Sequence, residues 1–331
     1  MRDKVVVITG ASSGFGRGAA LKFAKMGANV VAAARRKRAL KELEKETRKF
    51  GNQVRTIETD VSNPQDVEEL ATRTVREFGQ IDVWVNNAGV GTVGRFEEIP
   101  LEEHEQLIRT NLLGTLYGSY FAMREFRKRG KGVLINMSSL AGKVGTPYLS
   151  SYAASKFGIR GLDMALRQEL EQNQDLGIRV CTVMPASFDT PFFEHSGNHL
   201  GRRVKPIPPV YDPQKVINTI FDLTQNPRDE VAVGTMGKLG SVQYRLAPKL
   251  TEKVMGKNTH KSQMESEPSR DSSGSVLEPM SSGTDVYGGW SESNGGNTAA
   301  KLLGIAIPTA IGIALLARKR GRLKEQFEEA A

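Results

Sequence analysis

Short β-branched runs alternate with longer amphipathic ones from Met1 to about residue 235. VVVIT (5–9) reads as a strand, and GRGAALKFAKMG, after a glycine-rich turn, as a helix. NVVAAA (29–34) repeats the strand pattern, RALKELEKETRKF the helical one, and QVRTIET returns to a strand. Ser62-Asn63-Pro64 predicts an N-cap with proline at the first helical position, opening PQDVEELATRTVREFG. IDVWVNNAG, GVLINMSS, IRVCTVMPA and EVAVG are further predicted strands, separated by helical stretches at 101–129, 151–173 and 213–225. The alternation predicts an α/β chain, a doubly wound parallel sheet with helices on both faces and right-handed crossovers. Ligands then belong at the carboxyl ends of the strands.

Beyond about residue 262 the periodicity stops. ESEPSRDSSGSVLEPMSSGTDVYGGWSESNGGN is rich in Ser, Gly, Pro and acid and has no periodic apolar face, which predicts disorder. LLGIAIPTAIGIALLA (302–317) is uncharged and apolar, and RKRGRLK follows it. As a helix it would span about 24 Å, short of a ~30 Å hydrocarbon core, while its basic flank attracts anionic lipid. A single span would also carry that flank outward, against the positive-inside tendency, so spanning, surface-lying and protein-packed arrangements stay open. The expected organisation is a folded domain at 1–260, a disordered linker at 261–298, and a membrane-associating C-terminal segment at 299–331.

Composition narrows the class. The 39% hydrophobic and 25% charged fractions are those of an ordinary soluble protein. The lone cysteine, Cys181, lies inside the apolar run IRVCTV, so no intrachain disulfide forms and reduced surroundings are expected. MRDKVVVITG enters a strand directly, without a signal-peptide core, which places the domain in the cytoplasm. The net charge of +9 raises nucleic acid as a partner. Its basic clusters at 35–38, 127–131, 202–203 and 318–322 are scattered, with no interleaved aromatics, so no nucleic-acid partner is expected.

TGASSGFG (9–16) follows the first strand and opens the first helix. Gly10, Gly14 and Gly16 permit a tight turn and close approach to a pyrophosphate seated on the helix N-terminus. The spacing G-x-x-x-G-x-G, NNAG at 86–89, Asn111 in TNLLG, and Ser139, Tyr152 and Lys156 occur in order along the chain. Over roughly residues 1–235 this resembles the short-chain dehydrogenase/reductase family, and implies a Rossmann-type sheet, a nicotinamide cofactor and, for members of that family, frequent homo-oligomers. The resemblance implies that Thr9, Gly10, Ser12, Ser13, Gly14, Phe15 and Gly16 line the cofactor, together with Asp60, Val61, Asn87, Ala88, Gly89, Tyr152, Lys156, Pro185 and Thr190. Asp60 is expected at the adenine, with a competing role in the turn before Pro64. Pro185 and Thr190 are expected at the nicotinamide carboxamide, although Ala186 stands where most relatives have glycine.

SYAASKFGIR (151–160) sets Tyr152 and Lys156 four apart, hence on one helical face. A free phenol has a pKa near 10 and is a poor base at neutral pH; a nearby ammonium is expected to lower it by about 1–3 units. Ser139, thirteen residues before Tyr152, is expected to hold the substrate oxygen, and Asn111 by resemblance anchors a water joining Lys156 to solvent. The second strand ends AAARRKR, with Ala34 where an acidic residue would favour NAD. Arg35 is the expected 2′-phosphate partner, assisted by Arg36 or Arg38, which makes the cofactor NADP(H).

FFEHSGNHLGRRVKPIPPVYDP (192–213) is expected to form a substrate lid, and Phe188, Phe192 and Phe193 point to an apolar substrate. His195 and His199 are four apart beside Glu194, but Pro191, Gly197 and the lack of further ligands argue against a metal site. The expected activity is hydride transfer between NADP(H) and a small-molecule carbonyl or alcohol, with Tyr152 as acid/base. The alternative is a non-catalytic NADP(H) sensor or scaffold at a membrane, which would need the glycines and Arg35 but not Tyr152 and Lys156 together.

Overall fold

Both sides of the first strand, β1 (Val5–Thr9), are apolar because both are covered. In the computed structural model of the chain, which describes residues 1–51, 54–235, 243–244, 246–264 and 266–290, β1 lies inside a seven-stranded sheet. Its companions are β2 (Asn29–Ala34), β3 (Val54–Glu58), β4 (Val83–Asn86), β6 (Gly132–Met137), β7 (Ile178–Pro185) and β9 (Glu230–Val233). The order is β3-β2-β1-β4-β6-β7-β9 and every pairing is parallel. β5 (Thr92–Gly94) and β8 (Gly197–His199) form a separate parallel pair.

Alternation along the strands sorts the core into two layers. Val6 and Ile8 pack with α1 (Gly14–Lys25), α2 (Lys37–Thr47) and α8 (Gln214–Leu223), through Phe23, Leu40, Leu43, Val216 and Ile220. Val7 faces the other way, toward α3 (Pro64–Phe78), α5 (Gly114–Arg129) and α6 (Ser150–Gln172), through Leu70, Ala122, Phe126 and Leu170. Asn63 caps α3 by accepting from the Gln65 amide, with Pro64 beginning the helix as its sequence predicts. The chain order reverses direction between β1 and β4, so the turns after these two strands open a crevice at their carboxyl ends.

A polar network crosses the core just below that crevice. Trp84 donates to Asn86 Oδ1 (2.7 Å), Asn86 to Asn136 Oδ1 (2.8 Å), and Asn136 to Asp163 Oδ1 (2.5 Å). Thr182 closes the chain on Asp163 Oδ2 at 2.6 Å, so β4, β6 and β7 are tied to α6 through satisfied partners.

Two further features differ from the sequence reading. The predicted helix 101–129 is three pieces: α4 (Leu101–Ile108), a π-turn (Arg109–Leu113) and α5. Where 261–298 was expected to be a disordered linker, the helix Pro248–Met264 runs into it, and 266–290 belongs to the compact unit Met1–Trp290. That stretch shows no amphipathic period because it forms neither helix nor strand; its backbone polar groups are bonded to the domain instead. The apolar run 302–317 lies outside the described residues, among which no helix is long and apolar enough to cross a membrane.

Burial raises the Asp163 carboxyl to about 6, against partial relief from Thr182 and Asn136. A carboxyl raised on folding stabilises the fold below its unfolded value and loses that contribution as pH rises through about 6. Asp163→Asn keeps an acceptor for Asn136 and removes the buried charge. It is expected to be more stable than the parent at pH 7–8 by on the order of 1–3 kcal/mol, with the difference closing toward pH 4. Denaturant unfolding of both proteins across that range measures it.

Candidate active site

The crevice begins with the turn between β1 and α1. Gly10 and Gly14 hold left-handed φ values of 67° and 54°, which side chains resist. Gly16 has a different reason: a Cβ there would lie 2.3 Å from the Gly10 carbonyl oxygen. The turn is held from below by the strand beside it. Thr9 Oγ1 accepts from the Asn87 and Ala88 amides (3.0 and 3.2 Å), while Asn87 Nδ2 donates to the carbonyls of Thr9 and Gly10. Phe15 stacks edge-on against Phe188, and Thr190 lies 3.6 Å from where a Gly14 Cβ would be. Pro185 ends β7 at the same edge of the sheet.

Across the crevice, α6 presents Tyr152 and Lys156 on one face, with Lys156 Nζ 5.6 Å from the centre of the tyrosine ring. Lys156 is buried and donates to the Met137 carbonyl at 2.8 Å. The neighbouring serines divide. Ser138 Oγ donates to the Lys156 carbonyl, whereas Ser139 lies near enough to the Tyr152 phenol to favour its ionised form and caps the following turn by accepting from the Ala141 amide. Asn111 is turned inward by the π-turn around it; its side chain bonds both polar groups of Val90 and reaches Ser155. π-turns recur at functional positions because the extra residue re-aims a side chain. Gly89 leaves the space between Asn111 Oδ1 and Lys156 Nζ open, its absent Cβ being 3.3 and 3.6 Å from them.

One electrostatic expectation is reversed. Burial pushes the half-buried Tyr152 up to about 12, offset only in part by Ser139. The Lys156 ammonium lies over the ring and is spent on a carbonyl, so it does not overcome the phenolate's lost hydration. Burial likewise lowers Lys156, to about 8.

At the far end of the crevice, Arg36 is more central than its sequence position suggested. Its guanidinium donates to Ser12 Oγ (3.0 Å) and Ser13 Oγ (2.7 Å), joining the end of β2 to the glycine-rich turn. Burial, then Arg35, then Arg17 depress its pKa, although Arg17 itself pairs with Glu46 at 2.8 Å. Arg35 and Arg36 also donate to main-chain carbonyls of residues 275–283, while Arg38 pairs outward with Glu42. Asp60 does occupy its competing role, accepting from the Ser62 amide and hydroxyl; Val61 packs beneath Gly114.

The segment 192–213 is anchored through β8, which pairs with β5. Phe192 packs on Tyr152 (5.5 Å between ring centres) and Phe193 on Trp290, but Phe188 is a core residue between Phe15 and Tyr211. Sequence reading missed His104, which bonds Ser151 Oγ and the Phe96 carbonyl and so fixes the first turn of α6; its lone position gave no signal. His199 pairs with Glu103 and His195 with the Ser282 carbonyl; among the described residues no acidic, histidine or cysteine cluster could hold a metal.

Residues 4–200 match the family described as short chain dehydrogenase. An uncharacterized oxidoreductase of Bacillus subtilis, YxnA, is 35% identical over 305 residues, covering 91% of this chain and 85% of its own. So long an alignment takes in 273–290 wherever it begins. A diacetyl reductase, (S)-acetoin forming, from Staphylococcus epidermidis is 38% identical over 193 residues, 58% of this chain and 74% of its own. Among solved structures, an alcohol dehydrogenase from the archaeon Thermococcus sibiricus, complexed with 5-hydroxy-NADP, is similar with a TM-score of 0.60 and 28% identity, over 70% of this chain and 95% of its own. Levodione reductase has a TM-score of 0.62 at 25% identity, over 72% and 99% of the two chains.

The depressed lysine has a thermodynamic signature. Between about 8 and 10.5 the unfolded chain holds the Lys156 proton and the folded chain does not, so this group's cost to stability shrinks as pH rises. From pH 8 to 10 the parent is expected to gain on the order of 2 kcal/mol relative to Lys156→Met, as read by chemical unfolding of the two proteins.

Proposed function

Because the chain belongs to the short-chain dehydrogenase family, we propose that it moves a hydride between NADP(H) and the carbonyl or alcohol carbon of a small apolar substrate. The observation that carries this reading is the convergence of Ser139, Tyr152 and Lys156 at the carboxyl end of β6, facing the crevice that the glycine-rich turn opens. A bound nicotinamide supplies or accepts the hydride. The residues present fit such a group: the turn has no Cβ at Gly10, Gly14 or Gly16 to block close approach, and the Arg36 guanidinium and the Ser12 and Ser13 hydroxyls lie beside it. Ser139 orients the substrate oxygen, and Tyr152 exchanges a proton with it. Lys156 sustains the phenolate form once water is replaced by substrate, and Asn111, held by the Val90 backbone, faces Lys156 across Gly89.

The adjacent guanidinium groups of Arg35 and Arg36 support a phosphorylated cofactor, because an anion between them relieves their repulsion. Phe192 beside Tyr152, with Phe193 packed against it, supports an apolar substrate. Exposed Leu116 and Tyr120 on α5, with Phe157 and Met164 on α6, support pairing with a second copy. The run 302–317 with its basic flank supports membrane attachment of a cytoplasmic domain, on hydropathy and charge alone.

Tyr152→Phe is expected to bind NADP(H) as the parent does and to lose turnover by a factor of about 10² or more, measured as NADPH oxidation against a panel of ketones, aldehydes and diketones. Unchanged turnover removes Tyr152 from the chemistry. Arg36→Ala and Arg35→Ala are each expected to weaken NADP(H) about tenfold or more relative to NAD(H), as titration calorimetry with both cofactors will show. Equal losses for the two cofactors contradict the phosphate assignment.

A further inference from the structure

The donors assigned above to a dinucleotide are already engaged, and by one contiguous stretch of the same chain. Ser275 bonds the His195 carbonyl through its amide (2.8 Å) and hydroxyl (3.0 Å). Val276, fully buried, joins Val90 and Leu107 in an apolar cluster against which Tyr152 and Leu277 pack. Arg35 donates to the carbonyls of Ser275 (2.6 Å) and Leu277 (3.1 Å), and Arg36 to that of Ser282 (2.8 Å). The Gly14 amide, at the N-terminus of α1, donates to the Asp285 carbonyl at 2.9 Å. Val286 then lies over Gly18, and the amides of Gly288 and Trp290 converge on Asp189 Oδ1 at 3.0 and 2.8 Å. Trp290 Nε1 ends the path on the Thr190 carbonyl, at 3.1 Å.

We propose that residues 275–290 are an autoinhibitory strap, an internal ligand of the cofactor crevice that must leave before a dinucleotide can bind. The inference rests on the cofactor reading above. A main-chain N–H has one proton to give, so the Gly14 amide cannot serve Asp285 and a phosphate together. The strap offers neutral carbonyls to the arginines, where a phosphate offers charge; charge-assisted bonds are roughly twice as strong, so cofactor at sufficient concentration displaces it. Its sequence suits a reversible occupant. Gly283 and Gly289 take left-handed φ values of 65° and 74°, as does Gly274 just before it (53°), and the segment has one deeply buried apolar anchor, Val276. Such a chain orders only on its surface and releases at modest cost. The apparent cofactor affinity then equals the intrinsic one scaled by the fraction of molecules with the strap open.

Two full-length variants loosen the strap and replace none of the residues assigned to the crevice: Val276→Asp, which places a charge in the apolar anchor site, and Gly288→Pro. The latter removes the amide bonded to Asp189, and the added Cβ meets the Thr190 carbonyl oxygen at 2.4 Å. Tryptophan reports the state of the strap, because the chain has two: Trp84 is sealed in the core, and Trp290 is on the strap. Calorimetric titration with NADP⁺ is expected to give a Kd about tenfold lower for both variants than for the parent, a strap closed nine-tenths of the time. In the parent, NADP⁺ is expected to make Trp290 emission shift to the red and become open to acrylamide. Equal Kd values in all three proteins with Trp290 still shielded overturn the strap while leaving the cofactor reading intact. Failure of all three to bind either NADP⁺ or NAD⁺ overturns the cofactor reading and the competition with it.

Discussion

The bond from Lys156 Nζ to the Met137 carbonyl fixes the candidate site as a unit. It joins the second turn of a helix to the last residue of a strand, and each partner brings a neighbour: Tyr152 one turn back along α6, Ser139 two residues beyond Met137. Ser138 repeats the tie in the opposite direction, from the strand end to the Lys156 carbonyl. A buried ammonium is costly to leave unpaired, so the helix has little freedom to rotate away from the sheet. The electrostatic consequence is that the lysine's charge is shared with a carbonyl dipole before it ever acts on the phenol. Burial of the phenol is what holds Tyr152 high in the free protein.

Most of the sheet was legible because its strands are buried on both faces and its helices carry an apolar stripe. VVVIT, NVVAAA and Asn63-Pro64 each declare an element by pattern or cap chemistry. The site was legible where spacing encodes geometry, as with Tyr152 and Lys156, or where a missing Cβ does, as with Gly10 and Gly16. It was not legible where the answer depends on tertiary partners. Arg35 and Arg36 are adjacent in sequence, and only the position of Ser12 and Ser13 shows that Arg36 meets the turn. Phe188 and Phe192 are equivalent letters, one filling the core and the other facing Tyr152. The stretch 266–290 was misread because compositional disorder rules assume that order requires a periodic apolar face. A segment bonded through its backbone to another surface needs none.

The strap and the site explain features of each other. Val276 contributes to the burial around Tyr152, so the segment that occupies the crevice also makes the phenol harder to ionise. His195, which bonds the Ser282 carbonyl, has its pKa lowered by burial and by Arg36, consistent with an end of the crevice already rich in positive charge. The B. subtilis relative, whose alignment reaches through this region, is the natural protein in which to look for the same arrangement.

The π-turn at Arg109–Leu113 has a consequence for how this chain can vary in length. It holds one residue more than a regular α-helix would, and one residue is worth about 100° of helical rotation. Deleting any single position between α4 and α5 would yield a smoother helix that swings Asn111 away from Val90 and Ser155. Surface turns elsewhere can absorb insertions and deletions, but here backbone irregularity acts as a counter, and lineages sharing this arrangement must keep its tally unchanged.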